Sequence, residues 1–462
     1  MTLDRSHTLG TELRETLWLA LPVVGSQLGQ MSMGFVDTVM VGRLGPQALA
    51  SVALGSTLFF FLAIVSMGVV FAVGPMVSQA YGAGDYDVIG RSVRQGLWMG
   101  VALSIPSITL LYNADRLFAL MGHDADTASL ATAYLRAILW GFLPFMWFAA
   151  LRSFVEGVSR PFPVTLITLL GLGLNIGSNY VLMFGKLGFP ALGVVGTGYA
   201  SAVVFWFMCV VLALLAGRQP ALRGFAVFSR LRLPDTEYFR KLFRIGWPIG
   251  ALHGVEAGLF SVTALLIGVL GTNDLAAHQV AIQFAAFTFM VPLGIGIATS
   301  VRVGQAVGRQ DAVGIRMAGY IGIGLAMTFM GCAALFLWLA PETAVGFYLD
   351  VDEPANREVV RLAVQLLGFA AVFQVFDGAQ VSASGALRGL KDTRGPMLIG
   401  ALAYWGVGMT TGYALGFWAG MGAAGLWAGL VVGLMVAALA LIWRFVYAAR
   451  VAGDRLAAEA ST

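Results

Sequence analysis

Apolar residues run for twenty or more positions at a time along this chain, and polar residues gather between the runs. A helix that crosses a bilayer needs about 20 mostly apolar residues. The runs predict twelve such helices, over approximately 15–43, 48–79, 92–113, 128–156, 163–184, 192–216, 243–270, 275–301, 314–340, 358–387, 396–418 and 424–446. The expected fold class is therefore an all-α polytopic membrane protein.

Charge refines this picture. Residues Arg218, Arg223, Arg230, Arg232, Arg240, Lys241 and Arg244 crowd one connection. Connections on the other side are acidic, with Asp115, Asp124 and Asp126 in one and Glu342, Asp350, Asp352, Glu353 and Glu358 in another. The positive-inside rule then places both termini in the cytoplasm. The net charge of +4 follows topology and gives no reason to expect nucleic acid as a partner. Composition agrees: 58% of residues are hydrophobic and only 11% charged. The 59 glycines suit helices that approach closely in lipid. Cys209 and Cys332 both lie in apolar runs and read as packing residues. The polar stretch Met1 to Glu15 does not read as a cleavable signal peptide.

The chain repeats itself. Ala20-Leu21-Pro22 pairs with Gly246-Trp247-Pro248, and Ser78-Gln79-Ala80-Tyr81-Gly82 with Gly304-Gln305-Ala306-Val307-Gly308. Further on, Glu156-Gly157-Val158 pairs with Arg388-Gly389-Leu390, and Gly193-Val194-Val195-Gly196 with Gly422-Ala423-Ala424-Gly425. Six helices per half make the halves parallel repeats. The expected domains are an N-terminal lobe at 1–217, a basic cytoplasmic linker at 218–242 containing Pro220 and Pro234, a C-terminal lobe at 243–446 and a cytoplasmic tail at 447–462. Two lobes around a central cleft suit transport; duplication for stability alone is the competing reading.

Three carboxylates interrupt the apolar runs: Asp37, Glu256 and Asp377. Each costs on the order of 3 kcal/mol at a helix centre by insertion scales, which makes it a functional candidate. Asp37 lies downstream of Pro22 in the first span, where a missing hydrogen bond permits a bend. It either binds a cation or proton, or caps the helix near its outer end. Glu256 lies one turn beyond His253, which either pairs with it or is an ordinary interior histidine. At the repeat offset Glu256 corresponds to Gln30. Asp377 follows Phe373 by one turn. Glu256 and Asp377 can converge on one cavity, where a carboxylate pair holds a sodium ion or shares a proton. A structural pair bonded to nearby hydroxyls is the alternative. Glu156, flanked by Arg152 and Arg160, reads as an interfacial salt bridge. Asn175, Asn179 and Thr197 by themselves read as interhelical hydrogen-bonders.

Several enzyme classes find no support. Gly420-Met421-Gly422-Ala423-Ala424-Gly425 fits a dinucleotide-binding pattern but follows a membrane helix where that fold needs a strand. No Walker A or HExxH sequence occurs, and His7, His123, His253 and His278 are scattered. No cofactor is expected.

The segments Phe35-Val36-Asp37-Thr38-Val39-Met40-Val41-Gly42, Gly304-Gln305-Ala306-Val307-Gly308 and Ala386-Leu387-Arg388-Gly389-Leu390-Lys391-Asp392-Thr393-Arg394 carry a resemblance. Together with the duplicated twelve-helix plan, the chain resembles the multidrug and toxic compound extrusion (MATE) exporters, in their NorM-like branch, over about residues 10–446. The resemblance implies two six-helix lobes forming a V-shaped cleft. It also implies an antiporter of the bacterial inner membrane that expels cationic or amphiphilic drugs while sodium ions or protons enter. Asp37 then matches the family's N-lobe carboxylate, with Asn175, Asn179 and Thr197 around it. Glu256 and Asp377 match the C-lobe cation site, supported by His253. Phe373 offers that site a ring face for cation–π contact, without a hydroxyl. Gln30, Gln283, Phe287 and Met290 are candidates for the drug-binding surface, although such a stripe also fits packing. Asp350, Asp352 and Glu353 either attract cations or form a solvated loop. The expected partners are the drugs and membrane lipid, with the chain acting as a monomer. A flippase for lipid-linked oligosaccharides, which shares this architecture, is the alternative function.

Overall fold

The computed structural model describes residues 8–120, 122, 124–229 and 235–460. His7, His123, Arg230, Arg232 and Pro234, on which the sequence reading drew, lie outside the described residues, as do most of the polar N-terminal stretch and Ser461 and Thr462. Twelve long helical runs follow in chain order: α1 (Leu9–Gly42), α2 (Pro46–Ala83), α3 (Tyr86–Tyr112), α4 (Ala125–Gly157), α5 (Phe162–Phe184), α6 (Gly193–Arg218), α7 (Thr236–Leu270), α8 (Thr272–Gly308), α9 (Ala312–Leu339), α10 (Arg357–Gly389), α11 (residues 394–418) and α12 (Gly422–Ala460). Among the described residues there is no strand. Ten of these runs are long and apolar enough to cross a membrane. The other two are α1, interrupted by Ser26, Gln27, Gln30, Ser32 and Asp37, and α11, whose helix type changes along its length.

Local chemistry sets the helix ends. Asp85, Asp124 and Asp311 cap α3, α4 and α9 by accepting from Val88 N, Thr127 N and Gly314 N at 3.2, 3.2 and 2.8 Å. Pro46 opens α2, where its missing N–H costs nothing. Gly185 closes α5 in the left-handed conformation, φ 67°.

Several boundaries differ from the expected ones. The helix of span two breaks at Phe71 and Ala72, between Val70 and Val73. Span eleven is not a uniform α-helix: Leu402–Met409 and Ala414–Trp418 are π-helical. Much of the expected tail at 447–462 continues α12 as helix to Ala460, and α7 begins at Thr236 inside the expected linker. The compact units are also drawn differently from the expected lobes. They are Gly25–Gly250 and, together, Met1–Val24 and Ala251–Thr462. The reason is packing at the starts of α1 and α7. Leu19 and Ala20 of α1 share a buried cluster with Ile295, Ala298 and Val301 of α8. Gly250 of α7 lies so close to α2 that a Cβ would stand 2.5 Å from the Val65 carbonyl oxygen.

The first unit is centred on an aromatic core in which Phe59 packs edge-on against Phe142 at 5.5 Å. In the second unit α8 and α10 pack through small residues. A Cβ on Gly389 would stand 2.7 Å from the Ser300 carbonyl oxygen, and Gly385 meets Gly296.

Candidate functional site

In the first unit α1 lies along α5. A Cβ on Gly25 would stand 3.1 Å from Thr165, and one on Gly29 3.0 Å from Thr168. Met33 and Asp37 continue that face at four-residue spacing. The register delivers Asp37 to Asn175 and Asn179 on α5. The Nδ2 atoms of both donate to Asp37 Oδ1, at 3.0 and 2.6 Å. Ser201 Oγ of α6 donates to Asp37 Oδ2 at 3.3 Å. All three contacts donate, which is the pattern that an ionised carboxylate accepts. The buried Asn175 Oδ1, Asn179 Oδ1 and Thr197 Oγ1 have no hydrogen-bond partner. The carboxylate thus stands beside two uncommitted amide oxygens, hard donors of the kind a small cation takes, and Thr197 lies one turn before Ser201 on α6.

The second unit holds Glu256 on α7 and Asp377 on α10. Asp377 is buried, and the Glu256 side chain is 20% exposed. The two lie close enough for their like charges to repel. His253 Nδ1 stands 3.8 Å from Glu256 Oε2, and its Nε2 is buried without a partner. Thr288 of α8 donates to Gln374, which fixes α10 one turn before Asp377. The guanidinium of buried Arg388 and the phenol of buried Tyr404 lie within electrostatic reach of Glu256.

Other candidates fall as follows. Phe373 is buried beside other aromatic rings. It packs edge-on against Phe260 and Trp427 at 6.1 and 5.8 Å, and Trp427 Nε1 in turn donates to His278 Nδ1. Glu156 pairs with Arg152, whose Nε reaches its Oε1 at 2.7 Å with both side chains 5% exposed, while Arg160 is exposed. Gln30 is half-buried, about two turns before Asp37. Gln283 and Phe287 are exposed and Met290 half-buried on one face of α8. The Asp350 carboxylate accepts from Asp352 N and its carbonyl from Asn356 Nδ2, so that acidic loop is partly self-bonded. Ser201, Arg388 and Tyr404 were not among the candidates named from the sequence. Ser201 had a signal, since it follows Thr197 by one turn; Tyr404 had none.

Similarity to known proteins shows the family. The MatE family model matches residues 22–181 and 248–414. The chain belongs to the MatE family. The two matched stretches start at the prolines of α1 and α7 and include all three carboxylates, which ties the family pattern to the duplicated halves. The chain is 40% identical to the "Probable multidrug resistance protein NorM" of Synechococcus sp., over 95% of each chain. It is 41% identical to the protein of the same description from Pseudomonas aeruginosa, over 97% of this chain and 92% of that one. Its fold is similar to the crystal structure of the eukaryotic MATE transporter AtDTX14, with a TM-score of 0.86, 22% identity and coverage of 97% of this chain and 99% of that one. A MatE member with these helices is an integral membrane protein.

Proposed function

We propose that this chain is a secondary antiporter that exports bulky cationic or aromatic drugs as sodium ions or protons move inward. The observation that carries this reading is the Asp37 centre, a carboxylate within a long helix held by three donors beside two unpaired amide oxygens. The multidrug-resistance descriptions of its relatives support the substrate class. A flippase for an anionic lipid is not favoured. Three arginines are buried among the described residues: Arg152 and Arg302 are paired with carboxylates, Arg388 lies within electrostatic reach of Glu256, and the relatives above are described as multidrug resistance proteins.

The working cycle follows from the chemistry of these groups. An ion arriving from outside neutralises Asp37, Glu256 or Asp377. The amides of Asn175 and Asn179 let Asp37 go and turn their oxygens, with that of Thr197, to the ion. Glu256 and Asp377 repel each other when both are charged, so a sodium ion or a shared proton relieves that repulsion. A drug cation competes for the same negative charge, and the exposed face of Gln283, Phe287 and Met290 offers it aromatic and polar contact. Exchange requires that ion and drug favour different states or exclude each other. The protein works in the bacterial inner membrane, as a monomer with its termini in the cytoplasm.

The test is ethidium export by purified protein in proteoliposomes under an imposed sodium gradient or an imposed pH gradient. Wild type should export under at least one gradient. Asp37→Asn and Asp377→Asn should each lose most of that export. Wild-type rates and ion dependence in both variants and in Glu256→Gln would overturn the reading.

A further inference from the structure

Tyr404 is 1% exposed, yet its hydroxyl has no hydrogen-bond partner. A buried hydroxyl without a partner is costly, so a phenol at this place calls for something that reaches its oxygen. The charges nearest it identify that something. Glu256 and Asp377 both lie within electrostatic reach of the phenol, the one from α7 and the other from α10. The ring itself is well held. A Cβ on Gly400, one turn earlier on α11, would stand 3.4 Å from Tyr404 Cε2, and the same position meets Leu252 of α7.

The backbone adds a second observation. Tyr404 lies in the π-helical stretch Leu402–Met409. Such turns change the direction of side chains relative to an α-helix and recur at functional sites. The order of helices adds a third. In the first half, the fifth helix (α5) serves the carboxylate of the first helix (α1) through Asn175 and Asn179. In the second half, α11 is the fifth helix and α7 the first, and Trp405, next to Tyr404, donates its Nε1–H at 3.1 Å to the carbonyl of Val255, next to Glu256. Phe373, on the face of Asp377, has no hydroxyl and its ring is committed to Phe260 and Trp427.

We propose that Tyr404 is a further residue of the Glu256–Asp377 site, its hydroxyl oxygen bonding the coupling ion. The inference rests on the exchange reading above. With the site loaded, the phenol oxygen coordinates a sodium ion or accepts from the protonated carboxyl. A neutral ligand strengthens ion binding without adding negative charge that would hinder release.

The test compares wild type, Tyr404→Phe and Asp377→Asn. Ethidium export from proteoliposomes is measured against sodium concentration at fixed pH and against pH at fixed sodium. Ethidium binding and melting temperature are measured in detergent. Tyr404→Phe should keep wild-type ethidium binding and melting temperature, while the ion concentration for half-maximal export rises about tenfold, as expected for one lost hydrogen bond to a charged group. Unchanged ion dependence in Tyr404→Phe, with ion dependence lost in Asp377→Asn, would overturn the role of Tyr404 and leave the exchange reading standing. Wild-type ion dependence in Asp377→Asn as well would remove the exchange reading from this site and the inference with it. A matched fall in melting temperature and ethidium binding in Tyr404→Phe would make the residue structural and overturn the proposal.

Discussion

Thr197 is fully buried, and its hydroxyl bonds nothing, although Ser201, one turn on, reaches Asp37. Replacing a buried, unpaired hydroxyl by a methyl group removes a desolvation cost of roughly 1–3 kcal/mol. Thr197→Val should therefore melt at the same temperature as wild type or higher, yet need more of the coupling ion for half-maximal export. A variant that keeps its ion dependence would show that Thr197 only fills space. The polar residues around Asp37 were legible because Asn175 and Asn179 recur at four-residue spacing on one helix face. Their bond to Asp37 was a matter of resemblance, since no spacing within α5 says which helix it meets. The surroundings of Phe373 were not legible in the same way. The residue shares a face with Asp377 by spacing, but the approach of Phe260 and Trp427 decides where its ring packs.

Helix α11 shows what glycine contributes between elements. Gly408, Gly412 and Gly416 face Gly433, Gly429 and Gly425 of α12 across the pair. A Cβ on Gly433 would stand 2.8 Å from the Gly408 Cα, and one on Gly429 2.6 Å from the Gly408 carbonyl oxygen. These are backbone atoms that cannot give way as a side chain tip can. Gly429→Leu should cost at least the roughly 1–3 kcal/mol typical of overpacking, read as a lower melting temperature in detergent. The four-residue glycine spacing was visible in the sequence, but the change to π-helix was not. Burial works against the Asp235 carboxylate just before α7, but Arg91 of α3, through Nε at 2.8 Å and Nη2 at 2.6 Å, and the Tyr238 N–H at 3.2 Å outweigh it, and the carboxyl is held below its ordinary range. A lowered value means stabilisation that is complete above the unfolded value of about 4 and is lost as pH falls through the folded one. Asp235→Asn should thus melt below wild type by a constant margin from pH 7 to about 5, and that margin should close in more acidic buffer. A margin that does not change down to the most acidic melts would mean that the Arg91 contact contributes nothing.

The molecule as a whole is built by exchange of helix starts between repeats. The segment of α1 up to Val24 belongs with the second unit, and α7 up to Gly250 belongs with the first. Arg302 of α8 anchors the start of α1, with Nη2 at 2.5 Å from Glu12 Oε2 and 2.6 Å from Glu15 Oε2. Breaking such a pair from one side leaves buried charge uncompensated, at about 3–5 kcal/mol. Arg302→Met should lower the melting temperature accordingly, and adding Glu12→Gln should restore part of it; no recovery in the double variant would show that Glu12 is not the uncompensated charge. The sequence by itself determined the twelve spans, the duplication and the three membrane-depth carboxylates. Hydrocarbon thickness sets the length of each apolar run, and charge inside lipid is too costly to be incidental. Only the tertiary structure decided which groups surround each carboxylate and where the units divide. It alone placed Ser201 beside Asp37, and the phenol of Tyr404 within reach of Glu256 and Asp377. Those depend on which helix faces pack together, and spacing along one helix specifies a face without specifying its neighbour.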